Sequence, residues 1–506
     1  MAIEPVYEKI NVLEKSKIVT DRLTVECKTD LSADNVARVI NVYARAEEKE
    51  EAIEGERVKY GGKTVFYVCY ENTDGELKKY ECGTEFMGDI AIDKDDNGEP
   101  VRVEVKFRTQ KTDYDLSGLK LTLSATVEIT ARLYYKSDAV ALAGGEELLT
   151  NKMQKLTAKS LGKKQGSYPI EEEFELDYPI SEVLFHRASP VVTAVQCGVG
   201  CIIVDGEVHL SSILLQSGQK KDIIRENKVF PFRAEIDCEE AMPANMATAT
   251  AKLKSFKTDI SVDEEEGKSL VTAQISVNFN CEAFSFEEAD VVDDAFSLTD
   301  KIEIEKCVCP LSIPHEQKTC TVRVGGRAEI SELPDGAKLS VALSERAEVV
   351  SVEQCDGGFN VVGTLTVNGI FVDAEGKAFG RKAETSFAAT VDYPLPEGAT
   401  VTVIARAERA VMQVISKTDV EIQADVIITL YPKEECKLQY VSKITSLGEK
   451  PICSAPLSVY IPLAGEELWS LAKRLNVSPE TLLLTNKDLQ FPLSGKERIV
   501  VYRQKV

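Results

Sequence analysis

The chain is poor in the side chains that most often carry chemistry. Three histidines, His186, His209 and His315, in 506 residues make imidazole-based nucleophilic or general-base catalysis a weak starting point. There is one tryptophan, Trp469. No run of 18 apolar residues occurs, so no transmembrane segment is expected. The opening MAIEPVYEKI has neither the basic nor the apolar region of a secretory signal, which gives a soluble, cytosolic expectation. Basic charge is also short: 60 Lys and Arg stand against 83 Asp and Glu, a net −23. Such a field repels phosphate backbones and anionic lipid, so no nucleic-acid partner is expected. The 13 cysteines are odd in number and follow no regular framework, which reads as reduced thiols.

Several stretches imitate known sites. DKDDNGEPVRVE, residues 93–104, fits a calcium loop with Asp93, Asp95, Asn97, Gly98 and Glu104 at the required positions. VRVEVKF alternates like a strand, however, where such a loop needs a helix, so an acidic hairpin turn is the expectation. Cys307, Cys309, His315 and Cys320 have the residue types of a zinc site. Their C-x-C spacing and the lack of a second pair favour buried thiols and no metal. The GKS of EEEGKSL (264–270) lacks the first glycine of a phosphate loop, and CGVGC (197–201) runs into a strand where a dinucleotide fingerprint opens a helix. Nothing demands an enzyme, a catalytic residue or a cofactor.

What the chain does have is a pattern repeated three times. Residues 62–86, 206–230 and 363–387 each open on a glycine (Gly62, Gly206, Gly363) and run as an alternating strand into a turn with a second glycine (Gly75, Gly218, Gly376). Each then returns to an aromatic (Phe86, Phe230, Phe387). DG, SG and EG between alternating runs are hairpin signals. Another alternating run follows each hairpin (VRVEVKF from 101, ATATAKL from 247, TVTVIAR from 400), and then a long strand (121–135, 270–284, 420–432). A period of two with one apolar face must bury that face against another sheet. The expectation is three tandem antiparallel β-sandwich or barrel-like domains at 1–138, 139–290 and 291–440, a linker at 441–455, and a module at 456–506. A short helix is expected near GGEELLTNKMQKL (144–156).

In the last segment the period changes. LSVYIPL is a strand; Leu468, Leu471, Ala472 and Leu475 fall on one helical face; Ser478 and Pro479 start a second helix that buries Leu482 and Leu483; RIVVYRQ closes the unit. AGEELWSLAKRLNVSPETLLLTN resembles a LysM domain at its Gly, Leu-Trp, Ala, Val-Ser, Glu, Leu-Leu and Asn positions. Three β repeats followed by such a module resemble, over essentially the whole chain, the SPOCS-domain spore-coat morphogenetic proteins. That resemblance implies a non-enzymatic adaptor at the forespore surface, in the mother-cell cytoplasm, whose module binds a SpoIVA-like coat-basement ATPase. Self-association through the β repeats is a further expected property.

The residues themselves point to the same module. On a helical wheel Trp469 lies about 110° from the centre of the apolar stripe, beside Lys473, an arrangement suited to a protein-binding rim. Leu457 and Tyr460 on the neighbouring strand complete the expected partner-binding set. Residues 455–506 carry a net +2, which leaves −25 on the rest, so the tail meets a partner without the body's repulsion. The alternative is a cortex or peptidoglycan binder. The sugar-cradling Gly-Asp-Thr-Leu of LysM domains stands here as Gly465-Glu466-Glu467-Leu468, and those four residues with Ile499 would form its site.

Overall fold

The structure is a computed structural model. It describes all residues except 1–2, 31–34, 93–98, 119, 136–138, 219–221, 264, 397, 452–456 and 503–506. Strand accounts for 77% of the chain and helix for 3%, so sheet pairing carries the architecture. The first repeat holds β1 (Pro5–Ile10), β2 (Lys15–Asp30), β3 (Val36–Glu54), β4 (Arg57–Asn72), β5 (Leu77–Ala91), β6 (Pro100–Ser117), β7 (Lys120–Tyr135) and β8 (Ala139–Gly145). The second holds β9 (Leu149–Leu176), β10 (Ile180–Cys197), β11 (Cys201–Gln216), β12 (Ile223–Asp237), β13 (Met246–Asp263) and β14 (Lys268–Phe296). The third holds β15 (Asp300–Pro314), β16 (Lys318–Glu329), β17 (Lys338–Cys355), β18 (Gly358–Val372), β19 (Ala378–Asp392), β20 (Thr400–Val414) and β21 (Asp419–Glu449). The tail adds β22 (Leu457–Tyr460), α1 (Leu468–Leu475), α2 (Pro479–Thr485) and β23 (Ile499–Tyr502).

Each repeat has the same two antiparallel sheets. Three consecutive strands form a meander: β3-β4-β5, β10-β11-β12, β17-β18-β19. The second sheet places one long strand at its centre: β2-β7-β6, β9-β14-β13, β16-β21-β20. That central strand has the cleanest alternation, with every second residue of β7 from Leu121 to Tyr135 buried. The sheets meet edge to edge, β3 against β6 and β2 against β5, and likewise in the other repeats. The result is a sandwich close to a barrel, with the core of each repeat filling the space between its two sheets.

The opening glycine of each hairpin has a packing reason. Gly62 lies opposite Phe86, Gly206 opposite Phe232 and Gly363 opposite Phe387. A Cβ at these positions would come within 2.7 Å of Phe86 Cζ, 2.4 Å of Phe232 Cζ and 2.5 Å of Phe387 Cζ, so each ring occupies the space a side chain would need. In the second repeat the covering ring is therefore Phe232 rather than the expected Phe230, which pairs with Val208. The turn glycines Gly75 and Gly376 have φ of 78° and 85°. Both turns close on a side-chain acceptor, Asn72 Oδ1 from the N–H of Glu76 and Asp373 Oδ1 from the N–H of Lys377, each at 2.8 Å.

Three further ribbons extend beyond the sandwiches. β1 pairs with β8, the first half of β9 with the last half of β14, and β15 with the last half of β21. Residues 149–156 are thus strand, not helix: Leu149 to Leu156 pair with Phe296 to Glu288, and pairing with a distant partner overrides local helix preference. Residues 441–449 belong to β21 rather than to a linker. Boundaries at 290/291 and 440/441 fall inside strands, because the ribbons carry each repeat past its sandwich.

The repeats do not hang as separate beads. The third strand of each meander touches the first of the next, β5 with β10, β12 with β17, and β19 with β3, so the contact closes after three. Ile40, Phe185, Ile213, Val341, Leu343 and Ile370 from all three meanders share one core. Ile10, Ala139, Val291, Leu311 and Leu438 from all three ribbons share another. No helix among the described residues is long and apolar enough to cross a membrane.

Candidate partner-binding site

The tail folds as strand, two helices and strand. Helix α1 buries Leu471, Ala472 and Leu475 and ends on Asn476, in the left-handed conformation at φ 53°. Helix α2 starts as its sequence directs: Ser478 Oγ accepts the N–H of Thr481 at 3.1 Å and Pro479 occupies the first turn. Leu482 is buried, whereas Leu483 is 40% exposed, because adjacent residues sit 100° apart and this short helix offers one face to the core. The amide of Asn486 ties the helices to the ribbon, donating to Leu482 O at 2.9 Å and Val500 O at 2.8 Å and accepting from Val500 N at 2.8 Å. β22 and β23 pair antiparallel, Leu457 with Tyr502 and Tyr460 with Ile499.

Trp469 sits at the edge of this core, half-buried, but it meets the chain itself. Its ring packs edge-on against Phe296 at 5.1 Å, and its Nε1–H donates to Asp294 Oδ2 at 2.8 Å. Lys473 Nζ donates to both oxygens of Asp294 at 2.7 and 2.8 Å. Burial alone would push the Asp294 carboxyl up; the hydrogen bonds from Lys473 and Trp469 outweigh it and hold that carboxyl below the usual range. Around this anchor, Lys450 Nζ bridges Ser297 O and Asn476 Oδ1 at 2.6 and 2.7 Å, and Asn476 Nδ2 donates to Leu298 O at 2.9 Å. The rim expected to stand open beside Trp469 is therefore filled by the end of β14. Asp294 and Phe296 lie some 175 residues upstream, and no local pattern in the sequence marks them.

The other expected residues separate. Leu457 is 60% exposed, while Tyr460 is half-buried against the module's core. On the outer face of the ribbon Leu457 and Val459 stand beside Tyr502, and the chain continues through exposed Ile461 and Leu463. These apolar side chains stand exposed together on one small module.

The sugar-cradling loop is closed on itself. Glu466 is buried; its carboxylate takes a fork from Arg474, Nε and Nη2 each at 2.8 Å, and accepts Leu463 N–H at 2.9 Å. The Arg474 hydrogen bonds hold this carboxyl below its ordinary value. Ile499 is fully buried, Leu468 half-buried, and only Gly465 and Glu467 face outward.

Asp93, Asp95, Asn97 and Gly98 lie outside the described residues; Glu104 is engaged by Arg102 and by Tyr134 Oη at 2.8 Å. Cys309 points into the shared ribbon core and Cys307 outward, while Cys320 packs on the core of the third repeat. Among the described residues no group of three or more His, Cys, Asp or Glu is placed to hold a metal. CGVGC is the turn between β10 and β11, and Gly267 sits in the turn between β13 and β14. Comparison with protein-family models, with curated proteins and with solved structures gives no match.

Proposed function

We propose that the chain is a non-enzymatic structural adaptor of the spore coat, acting in the mother-cell cytoplasm at the forespore surface. Its β body is the spacer and its C-terminal module recruits a protein partner, a SpoIVA-like coat-basement ATPase. The observation that carries the reading is the apolar outer face of the module's ribbon, Leu457, Val459 and Tyr502 with Ile461 and Leu463 alongside, exposed by 54% to 71%. Among the expected contacts, Leu457 belongs to that face. Trp469 and Lys473 serve instead to hold the module against β14. The internal Arg474–Glu466 fork fills the loop a glycan would need, which favours a protein over a sugar.

The test is a pull-down with full-length protein. Wild-type and Tyr460→Phe chains should capture the ATPase, and Leu457→Glu with Val459→Glu should lose it while keeping the same circular dichroism spectrum. Sedimentation of the wild-type chain with purified cell wall, without capture of the ATPase, would overturn the adaptor reading in favour of glycan binding.

A further inference from the structure

Where the three repeats meet, they enclose a cavity of about 310 Å³. Its charged lining is all of one sign: Lys106 of β6, Lys252 of β13 and Arg406 of β20, one from each repeat, with Thr250, Thr429 and Tyr431 beside them and no carboxylate. An overall charge of −23 makes three converging cations the opposite of what chance placement would give.

The cations are unequally satisfied. Lys252 is paired with Glu48. Among the described residues Arg406 donates to neutral acceptors, Pro190 O and, at 3.4 Å, Ser189 Oγ. The Lys106 ammonium makes no hydrogen bond or ion pair among the described residues. The carboxylates that offset Lys106 are already engaged, Glu48 by Lys252 and Glu104 by Arg102 and Tyr134, and Glu408, which offsets Arg406, is engaged by Arg187. Lys106 is an exposed side chain that lines the cavity, and crowding by protein first, then Lys252 and Arg132, pushes its ammonium below the ordinary lysine value. Burial pushes the Arg406 guanidinium the same way. Arg406 is half-buried, and with Lys106 and Lys252 exposed on the same cavity it leaves positive charge that Glu48 and Glu408 offset only in part, an arrangement that favours an anion joining it.

We propose that this cavity binds a small oxyanion, a phosphate or a carboxylate group, held between Lys106 and Arg406 with Lys252 beside them. The anion then touches all three repeats at once. Binding only the closed arrangement, it stabilises that closure by mass action. The site lies in the body, so it stands or falls independently of what the tail module binds.

Thermal unfolding and titration calorimetry of the full chain test this with two probes, inorganic phosphate and acetate, each against chloride at the same ionic strength. One of the two should raise the unfolding midpoint and bind with measurable heat; a response to phosphate alone or to acetate alone identifies the source. Lys106→Gln should unfold no lower than wild type without anion, since it removes an uncompensated charge, and should bind the effective probe on the order of tenfold to a hundredfold more weakly. Lys49→Gln, at a surface pair with Glu85, should respond as wild type does. No response to either probe, or a response that survives in Lys106→Gln, overturns the proposal.

Discussion

Asp294 determines how the tail module sits, because one carboxylate takes both the indole N–H of Trp469 and the ammonium of Lys473. The chain holds a single tryptophan, so its fluorescence reports on this contact alone. Asp294→Ala should shift the emission to the red and raise quenching by iodide; an unchanged spectrum would mean that the module docks by other means. A second residue carries a pH signature. His186 has its ring edge-on to Phe256 at 4.7 Å and its Nδ1 3.0 Å from Thr258 Oγ1. Burial, with Lys79 nearby, pushes its imidazole down to about 4. Between that value and about 6.5, the unperturbed imidazole, the unfolded chain binds the proton and the folded one does not. Stability from this group is therefore complete above the unfolded value and is lost as pH falls toward the folded one, by on the order of 2–3 kcal/mol. His186→Phe should flatten the pH dependence of urea unfolding across that window, and a slope identical to wild type would contradict it.

At the scale of elements, the hairpins were legible because two independent local signals agree: a period of two along the strands and a left-handed glycine between them. Gly75, Gly218 and Gly376 all adopt positive φ. The opening glycines answer to a different demand. At Gly363 a Cβ would sit 2.3 Å from Glu348 O as well as against Phe387. A carbonyl held in a ladder cannot swing aside as a side-chain tip can, so Gly363→Ala should cost about 1–3 kcal/mol in denaturant unfolding. Gly75→Ala should lose less, since nothing lies within 4 Å of its Cβ and only the turn conformation resists. What was not legible is the set of pairings with no local signature. GGEELLTNKMQKL is made of good helix formers, yet its partner is a strand more than 130 residues on, and only that partner makes it extended. The tail module shows both sides of this divide. Its helices, cap and ribbon follow from the residues inside it, whereas the burial of Trp469 depends on Asp294 and Phe296, whose role no window around position 469 contains.

At the scale of the whole molecule, three copies of one topology use the same contact three times, and the third closes on the first. Each junction is fixed by charge as well as by shared apolar cores: Lys78 with Glu182 at 3.3 Å and Lys252 with Glu48 from first to second, Arg108 and Arg346 with Glu348 and Thr109 O between third and first. The second junction is the most buried. Glu345, with its side chain only 1% exposed, accepts Arg187 Nη2 at 2.8 Å and Arg225 Nη2 at 2.6 Å, and Arg187 also reaches Glu408 at 2.8 Å. Removing the carboxylate strands one guanidinium and weakens the other, in a place water does not reach freely, so Glu345→Ala should cost about 3–5 kcal/mol. The closed arrangement determines how that loss appears. In a string of independent domains, a defect between the second and third would lower their transitions and leave the first where it was. Here every repeat contributes to the meander core and to the ribbon core, so none can open without exposing apolar surface of the other two. Calorimetry of the full chain should accordingly show the β body melting in one cooperative transition that moves down as a whole in Glu345→Ala. A first-repeat transition that splits off unshifted would mean that the three sandwiches fold as neighbours rather than as one body.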